Sequence, residues 1–217
     1  MPTPAARSVT AAGRAARPLA ARAAAPADKR EAILRAAITV FAQRGFFQAQ
    51  VADIARVAGV AAGTVYLYFR SKDDLLVSIF EQTMTAALTE GREALEGLTD
   101  PAARLRAIAR LHLERLGRDR DLAIVFQVEL RQTTKFMERF SSTYLRDYLH
   151  RIRETIAAGQ AAGVFRKDVS ATTAAKIFYG ALDEMATNWI LSKRRYALAT
   201  EGDAIVDLFL HGVERPR

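Results

Sequence analysis

From residue 28 onward, apolar residues recur every three to four positions along most of the chain. The first segment shows the i, i+4, i+7, i+8 spacing of one helix face at Ile33, Ala37, Val40 and Phe41. No run alternates apolar and polar residues in the way that a half-buried strand does. The pattern therefore predicts an all-α fold of about nine helices.

Caps and helix breakers place the boundaries of these helices. Gly45 and Gly59 are stop signals, and Ser71 stands three residues before Asp74 as an N-cap. Asp100 is a cap followed by a proline at the first helical position. After the first helix, which ends at Gly45, we expect helices over about 51–58, 62–68, 72–97, 101–117, 119–133, 136–161, 171–193 and 201–213.

Positive charge is concentrated at the N-terminal end of this 217-residue chain, whose formal net charge is +8. Residues 1–27 hold four Arg and no acid, and residues 28–71 hold six basic and three acidic groups. This asymmetry favours a polyanionic partner, and nucleic acid is favoured over a membrane surface. The alternative is that the charge only forms a solubilising face. Rich in Ala, Arg and Pro, residues 1–27 are predicted to be a disordered basic arm.

Composition excludes several classes of function. There is no Cys, which excludes disulfides and thiolate metal sites and fits a reducing cytoplasm, and no apolar run reaches the length of a membrane span. The three His are isolated, and the neighbours Asp183 and Glu184 point about 100° apart on a helix. A glycine-rich phosphate loop is absent. We therefore expect a cytoplasmic protein with no catalytic residue, metal or cofactor.

Two short helices joined by a tight turn indicate a helix-turn-helix. The helices over 51–58 and 62–68 are linked by Gly59-Val60-Ala61, and a motif of this kind lays its second helix in the major groove of DNA. Hydroxyls on the second helix and cations just beyond it are suited to contacts with phosphate. The outward positions are Ala61, Ala62, Gly63, Thr64, Tyr66 and Tyr68, followed by Arg70 and Lys72.

This region resembles the TetR-family DNA-binding domain. The resemblance rests on Gly45-Phe46-Phe47, on Val51 to Ala55 and on Ala58 to Leu75. It implies a DNA-binding domain over 28–73 and a ligand-binding and dimerisation domain over 74–217. The residues that it assigns to DNA are Gln50, Ala62, Gly63, Thr64, Tyr66, Tyr68 and Lys72, with Tyr66 and Lys72 as phosphate anchors.

Two departures from the family pattern concern DNA contacts. The family usually has Ser or Thr at the start of the second helix, where this chain has Ala49-Gln50. A weaker cap is expected there, or one supplied by Gln48 or Gln50. Ala62 stands where Lys or Arg is frequent in the recognition helix, so base readout is expected to use thymine methyl groups and DNA shape.

The C-terminal half resembles a particular group of TetR-type regulators, those of fatty-acid degradation. Three segments carry this resemblance: Gln127 to Gln132, Glu154 to Phe165, and Gly180 to Trp189. It implies a repressor that binds a palindromic operator and is released by long-chain acyl-CoA, the effector expected here. The residues expected to bind that ligand are Phe126, Leu130, Arg131, Lys135, Phe178, Leu182, Met185 and Trp189.

Two other readings of the chain stay open at this stage. A multidrug or antibiotic sensor with the same fold would place acids in its pocket to meet cationic drugs, and Glu129, Asp183 and Glu184 are available for this. An architectural DNA-binding protein is the other reading. It leaves the large, nearly neutral helical region after residue 72 without a purpose.

A homodimer is expected through the helices over 171–193 and 201–213. The first of these is apolar nearly all round, so it has to be covered on more than one side. Two copies of the pair would form a four-helix interface, in which Gly180 and Ala181 allow close approach. A two-fold dimer would set its recognition helices roughly 34 Å apart, one turn of DNA.

Overall fold

The computed structural model describes residues 26–213, except for residues 133–135, 137, 139, 140 and 195. Over these residues the chain forms nine α-helices and no strand, which confirms the all-α prediction. The predicted arm, residues 1–27, lies outside the described residues apart from Pro26 and Ala27, which open the first helix. The helices are α1 Pro26–Arg44, α2 Val51–Ala58, α3 Ala62–Tyr68, α4 Lys72–Leu95, α5 Pro101–Arg118, α6 Arg120–Gln127, α7 Arg146–Ala161, α8 Ala171–Leu191 and α9 Gly202–Val213.

The predicted caps hold α4 and α5 at their N-termini. The Ser71 hydroxyl accepts a hydrogen bond from the Asp74 N–H at 3.1 Å. The Asp100 carboxylate accepts from the N–H groups of Ala102 and Ala103. At α2 the N-cap is Gln50, whose side chain makes no capping bond. Of the two predicted alternatives, the structure therefore shows the weaker cap and not a cap supplied by a glutamine side chain.

The segment after α6 differs from the prediction. The helix expected over 119–133 ends at Gln127 and continues as a tighter 3₁₀ turn, Glu129–Gln132. Within the helix expected over 136–161, the described residues include a wider π-helical turn over Ser141–Leu145 and an α-helix over Arg146–Ala161. A tertiary contact accounts for the first difference, because the Glu129 carboxylate accepts a hydrogen bond from the backbone N–H of Phe46 in another part of the fold.

Two hydrophobic cores meet on α6. The first core joins α1–α3 and the start of α4, and it takes in Val125 and Leu130 from the later part of the chain. The second core lies among α5, α7, α8 and α9. Helix α6 packs Leu122 and Val125 on the first core and Ala123 on the second, so a displacement of α6 affects both cores.

None of the described helices is by itself long and apolar enough to cross a membrane. The pair formed by α2 and α3 passes that test by length and composition alone, and a bend of 97° separates its two helices.

Candidate functional site

Helices α2 and α3 form a helix-turn-helix around a small buried centre. The 97° bend between them falls in the range of such motifs. Gly59 ends α2 in the left-handed region, with φ of 69°, and the N–H of Val60 donates to Ala55 O at 3.0 Å. This conformation favours glycine. The centre consists of the buried residues Ile54, Ala55, Val65 and Phe69, with Val51 and Val60 half-buried against them.

The outer face of α3 exposes the side chains that the sequence assigned to DNA. Tyr66 is 57% exposed, and Thr64 and Tyr68 are half-buried at the edge of the same face. Leu67, which was not among the predicted outward positions, is 81% exposed. The remaining predicted contacts, Gln50, Ala62 and Gly63, are exposed at the starts of α2 and α3.

Lys72 performs a structural task at the base of this motif. Its Nζ donates to the carbonyl oxygens of Phe47 at 3.0 Å and Ala49 at 3.1 Å, and it lies 4.6 Å from the centre of the Phe46 ring. An ammonium has three donors. Two of them tie the α1–α2 turn to the start of α4, which leaves one for the predicted phosphate contact.

The second candidate site is an internal cavity of about 110 Å³ in the C-terminal region. Its wall comes from α4, α5, α7, α8 and the segment from Phe126 to Arg131. Most of the wall is apolar, with Met84 and Leu88 from α4, Ile108 and Leu111 from α5, and Ile152 from α7. A cavity of this kind is suited to a ligand with a long apolar part.

Three of the predicted ligand residues line this cavity, namely Phe126, Leu130 and Arg131. Lys135 lies outside the described residues. The structure places the other four elsewhere in α8: Phe178 and Leu182 are in the second core, where the Phe178 ring lies 4.8 Å from that of Phe209. Met185 packs partly buried against that core, and Trp189 is buried in it, donating from Nε1 to Tyr196 O.

The four predicted residues that do not line the cavity share one feature, which is the face of α8 on which they lie. Tyr179 and Asp183 line the cavity, and each follows a predicted residue by one position. Successive helix residues are 100° apart, so the predicted stripe faces the second core instead. The signal that distinguishes the two faces was the polar spacing of Tyr179 and Asp183 on an otherwise apolar helix.

Asp183 gathers donors from three elements at the cavity wall. Arg131 Nη2 lies 2.7 Å from both carboxylate oxygens, and Gln127 Nε2 donates at 3.1 Å. The Tyr179 hydroxyl donates to Asp183 Oδ1 at 3.2 Å. Burial raises the pKa of Tyr179, and the negative charge of Asp183 raises it further. The carboxylate is therefore neutralised by Arg131 and enclosed by donors.

A second polar cluster lies on α5. His112 Nδ1 is 3.1 Å from the Tyr148 hydroxyl, and one helical turn later Arg115 pairs with Glu90 at 2.6 Å. All four residues line the cavity. Burial lowers the pKa of His112 to about 4, against a smaller opposing effect of Asp183, so the imidazole is neutral at pH 7. From the sequence alone His112 was expected to be isolated; its i, i+3 spacing to Arg115 was the available signal.

Glu129 joins the cavity wall to the helix-turn-helix. This residue is 4% exposed, and its Oε2 accepts from the Phe46 N–H at 2.6 Å and from Gln132 Nε2 at 2.9 Å. The Phe46 ring makes an edge contact with Phe136. Because Leu130, the next residue, lines the cavity, one short segment connects the cavity to the turn that precedes α2. We call this hydrogen bond the Glu129–Phe46 joint.

The surface predicted to form a dimer carries exposed apolar side chains. On α8 Ile177 is 57% and Leu191 is 72% exposed, with Gly180 exposed between them. On α9 Leu208 is 79% exposed. The dimer through α8 and α9 stays a prediction to which these side chains lend support.

Comparison with known proteins identifies the family. Residues 33–79 match the family model of bacterial regulatory proteins of the tetR family, and residues 80–212 match that of the YsiA-like protein C-terminal region. The chain belongs to the TetR family. Members of this family are transcriptional regulators that bind DNA. The match to both models covers the helix-turn-helix and the cavity described above.

Relatives of this TetR-family chain include regulators of fatty-acid metabolism. The fatty acid metabolism regulator protein of Bacillus subtilis is 31% identical over 181 residues, covering 83% of this chain and 93% of its own. FadR of Bacillus halodurans, a fatty acid degradation regulator, superposes with a TM-score of 0.80 at 34% identity over 89% of this chain and 100% of its own. FadR of Bacillus subtilis, solved in complex with stearoyl-CoA, superposes with a TM-score of 0.79 at 30% identity, over 85% of this chain and 99% of its own.

A third structure bears a different ligand. A transcriptional regulator from Saccharomonospora viridis, solved in complex with choline, superposes with a TM-score of 0.74 at 25% identity over 88% of this chain and 100% of its own. In the described part of the chain, no group of three or more His, Asp and Glu side chains is placed to hold a metal ion.

The buried neutral His112 predicts a pH dependence of stability. Its pKa is about 4 when folded and 6.5 when unfolded, so the unfolded chain binds more protons between these values. Stability should therefore be lost as the pH falls from about 6.5 to about 4, by on the order of 3 kcal/mol from this residue. Urea unfolding at a series of pH values measures it, with His112→Phe as the reference. If the free energy of unfolding depended on pH in the same way in both proteins, the pH dependence could not be assigned to His112.

Proposed function

We propose that this chain is a one-component transcriptional repressor that binds a palindromic operator as a dimer and is released by long-chain acyl-CoA. Genes of fatty-acid degradation are its proposed targets. The observation that carries the proposal is the apolar cavity, enclosed by helices of the same fold that holds stearoyl-CoA in the Bacillus subtilis FadR complex. Phe126 and Leu130 would contact the acyl chain, and Arg131 would form part of the polar end.

The size of the cavity supports a release mechanism that depends on conformational change. At about 110 Å³ the cavity is smaller than the ~300–1,000 Å³ of typical ligand sites. A long acyl chain therefore has to displace part of the wall, and the parts that we propose to move are α4, α5 and the segment from Phe126 to Arg131. Ligand would then favour a second arrangement of these elements, and DNA the first.

Two routes lead from the displaced wall to the DNA-binding helices. Helix α4 is continuous from the cavity at Met84 to the first core at Leu75, so a tilt of α5 against α4 is passed on directly. The second route is the Glu129–Phe46 joint, since Glu129 lies next to the cavity residue Leu130. Both routes end at the elements that set the orientation of α3.

Operator binding would use the exposed face of α3 in the major groove. The Tyr66 and Tyr68 hydroxyls would contact phosphates, with Thr64, Gly63 and Ala62 near the base edges. Gln50 and the third donor of Lys72 would contact the backbone. Pairing of two chains through α8 and α9 would place two such faces on one side of the DNA, about one helical turn apart.

A sensor of cationic ligands is the second candidate. The ring centroids of His112, Tyr148 and Tyr179 lie within 5.7–6.2 Å of one another beside Asp183, and aromatic clusters of this kind bind quaternary ammonium groups. Against this candidate, Asp183 is already paired with Arg131. Glu129 is engaged at Phe46 and Glu184 is exposed, so neither of these acids lines the cavity. We therefore favour the acyl-CoA reading.

Release of DNA by the effector is the central prediction of this function. Fluorescence anisotropy of labelled DNA from upstream of the gene itself, titrated with the protein, should show at least tenfold weaker binding with palmitoyl-CoA. Tenfold corresponds to about 1.4 kcal/mol of coupling between the two sites. Free CoA, free palmitate and a cationic dye are the comparisons. Release by the dye and not by palmitoyl-CoA would replace the acyl-CoA reading with the second candidate.

Substitution of Tyr66 tests the docking face. Tyr66→Phe removes one hydroxyl from an exposed position on α3, so affinity for the operator should fall by about three- to tenfold, the effect of one hydrogen bond. Affinity for palmitoyl-CoA should stay the same. Tyr196→Phe, which removes a hydroxyl far from the motif, is the matched control. Equal operator affinities for both variants and the natural chain would overturn the proposed docking.

Loss of the Glu129 carboxylate tests the second route. In Glu129→Ala the Phe46 N–H loses its buried acceptor, so the DNA-binding arrangement should be weakened even without ligand. Palmitoyl-CoA should still bind, but the factor by which it weakens operator binding should shrink several-fold. Anisotropy with and without ligand measures this factor, and Glu93→Ala on the exposed face of α4 is the control. An unchanged factor in Glu129→Ala would exclude the joint as a route.

A further inference from the structure

Two polar atoms in the wall of the cavity lack hydrogen-bond partners. Among the described residues, the buried side-chain nitrogen and oxygen atoms without a partner are His112 Nε2 and Arg115 Nε. Both belong to α5, three residues apart on one face, and both residues line the cavity. Buried polar groups are nearly always satisfied in native proteins, so two orphans at one place indicate a partner that is supplied from outside the chain.

The hydrogen-bond network decides which role His112 Nε2 can play. The neutral imidazole carries one proton, and the enclosed Tyr148 hydroxyl has His112 Nδ1 as its acceptor at 3.1 Å. A buried hydroxyl that did not donate to Nδ1 would itself be unsatisfied. Nδ1 therefore accepts from Tyr148, and the ring proton is on Nε2. Arg115 Nε is also a donor, so the cavity wall offers two N–H groups one helical turn apart.

The charges around these donors select a neutral acceptor. Arg115 is neutralised by Glu90 at 2.6 Å and Arg131 by Asp183 at 2.7 Å, so two of the three Arg residues described in the cavity wall, Arg151 being the third, already have carboxylate partners. An additional carboxylate would meet both of these acids and a neutral imidazole. A carbonyl oxygen carries no net charge and accepts up to two hydrogen bonds, which matches two unpartnered donors.

We propose that His112 and Arg115 bind the carbonyl oxygen of the acyl thioester, with Tyr148 as the residue that positions the His112 proton. The proposal rests on the function proposed above and deepens it. It fixes where along the ligand the protein distinguishes a thioester from other lipids, and it places the acyl chain against the apolar wall beyond these donors. The protein then distinguishes its ligand from other lipids by the thioester group as well as by the length of the acyl chain.

The test compares two ligands that differ by one oxygen atom. Palmitoyl-CoA carries the thioester carbonyl, and S-hexadecyl-CoA, the thioether, has a methylene in its place. Isothermal titration of the full chain should show palmitoyl-CoA binding about tenfold more tightly, which corresponds to about 1.4 kcal/mol for hydrogen bonding to the carbonyl. Free palmitate is the third arm, and it should bind more weakly than either CoA compound.

Variants assign this difference to the named side chains. His112→Phe keeps a flat aromatic ring but has neither nitrogen. It should reduce the ratio of the affinities for the two CoA ligands to about threefold or less. Tyr148→Phe leaves Nε2 in place but removes the group that fixes its proton, so the ratio should fall part of the way. Ile108→Val, an apolar change in the same wall, should shift both affinities together and keep the ratio.

The outcomes separate this inference from the function on which it rests. Equal affinity of the natural chain for palmitoyl-CoA and the thioether, with both releasing the operator, would overturn the carbonyl site alone. The ligand pair needs no variant, so this result does not depend on how well any substituted chain folds. A full ratio retained in His112→Phe would reassign the site to other residues. Absence of binding by both CoA ligands would overturn the proposed function itself.

Discussion

The arrangement of this TetR-family chain depends on one buried hydrogen bond, from the Phe46 N–H to the Glu129 carboxylate at 2.6 Å. It joins the turn before α2 to the segment that forms part of the cavity wall. Around it, Phe46 packs on Phe136 and under the Lys72 ammonium, and Lys72 in turn binds the carbonyls of Phe47 and Ala49. A charged acceptor that is withdrawn from a buried N–H leaves an unsatisfied donor, which costs about 1–3 kcal/mol. A cost of this size is comparable to the coupling of about 1.4 kcal/mol that tenfold release requires, so the proposed function can use this joint as its switch.

The two cores make such a joint effective. Helix α6 contributes Val125 to the first core and Ala123 to the second, and the Arg35–Asp119 ion pair ties its N-terminal cap to α1. Packed interiors transmit displacement because they have few voids. In the proposed function, a ligand that widens the cavity of about 110 Å³ would therefore move α6 and the following segment together. In the proposed function this movement turns ligand binding into a change in the spacing of the recognition helices.

Local sequence signals were sufficient for the fold and for the exposed face of α3, but not for the residues that line the cavity. The caps at Ser71 and Asp100 and the stop at Gly59 act within one turn of the chain, so helix boundaries could be predicted from them. On α8 the pattern is apolar on several faces, and the cavity face is marked by Tyr179 and Asp183, not by the larger apolar residues Phe178 and Leu182. The 3₁₀ turn at Glu129 arises from a bond to Phe46, 83 positions earlier, which no local pattern encodes.

Hydrogen exchange at the Phe46 amide tests the central claim most directly, because this proton is the one that the joint holds. On the nitrogen-15-labelled chain, NMR would follow its exchange rate with and without palmitoyl-CoA, with the buried Ile54 amide of α2 as the reference. The account predicts slow exchange in the ligand-free protein and at least tenfold faster exchange at Phe46, with Ile54 unchanged, once the ligand is bound. Unchanged protection of Phe46 under conditions in which palmitoyl-CoA releases the operator would contradict it.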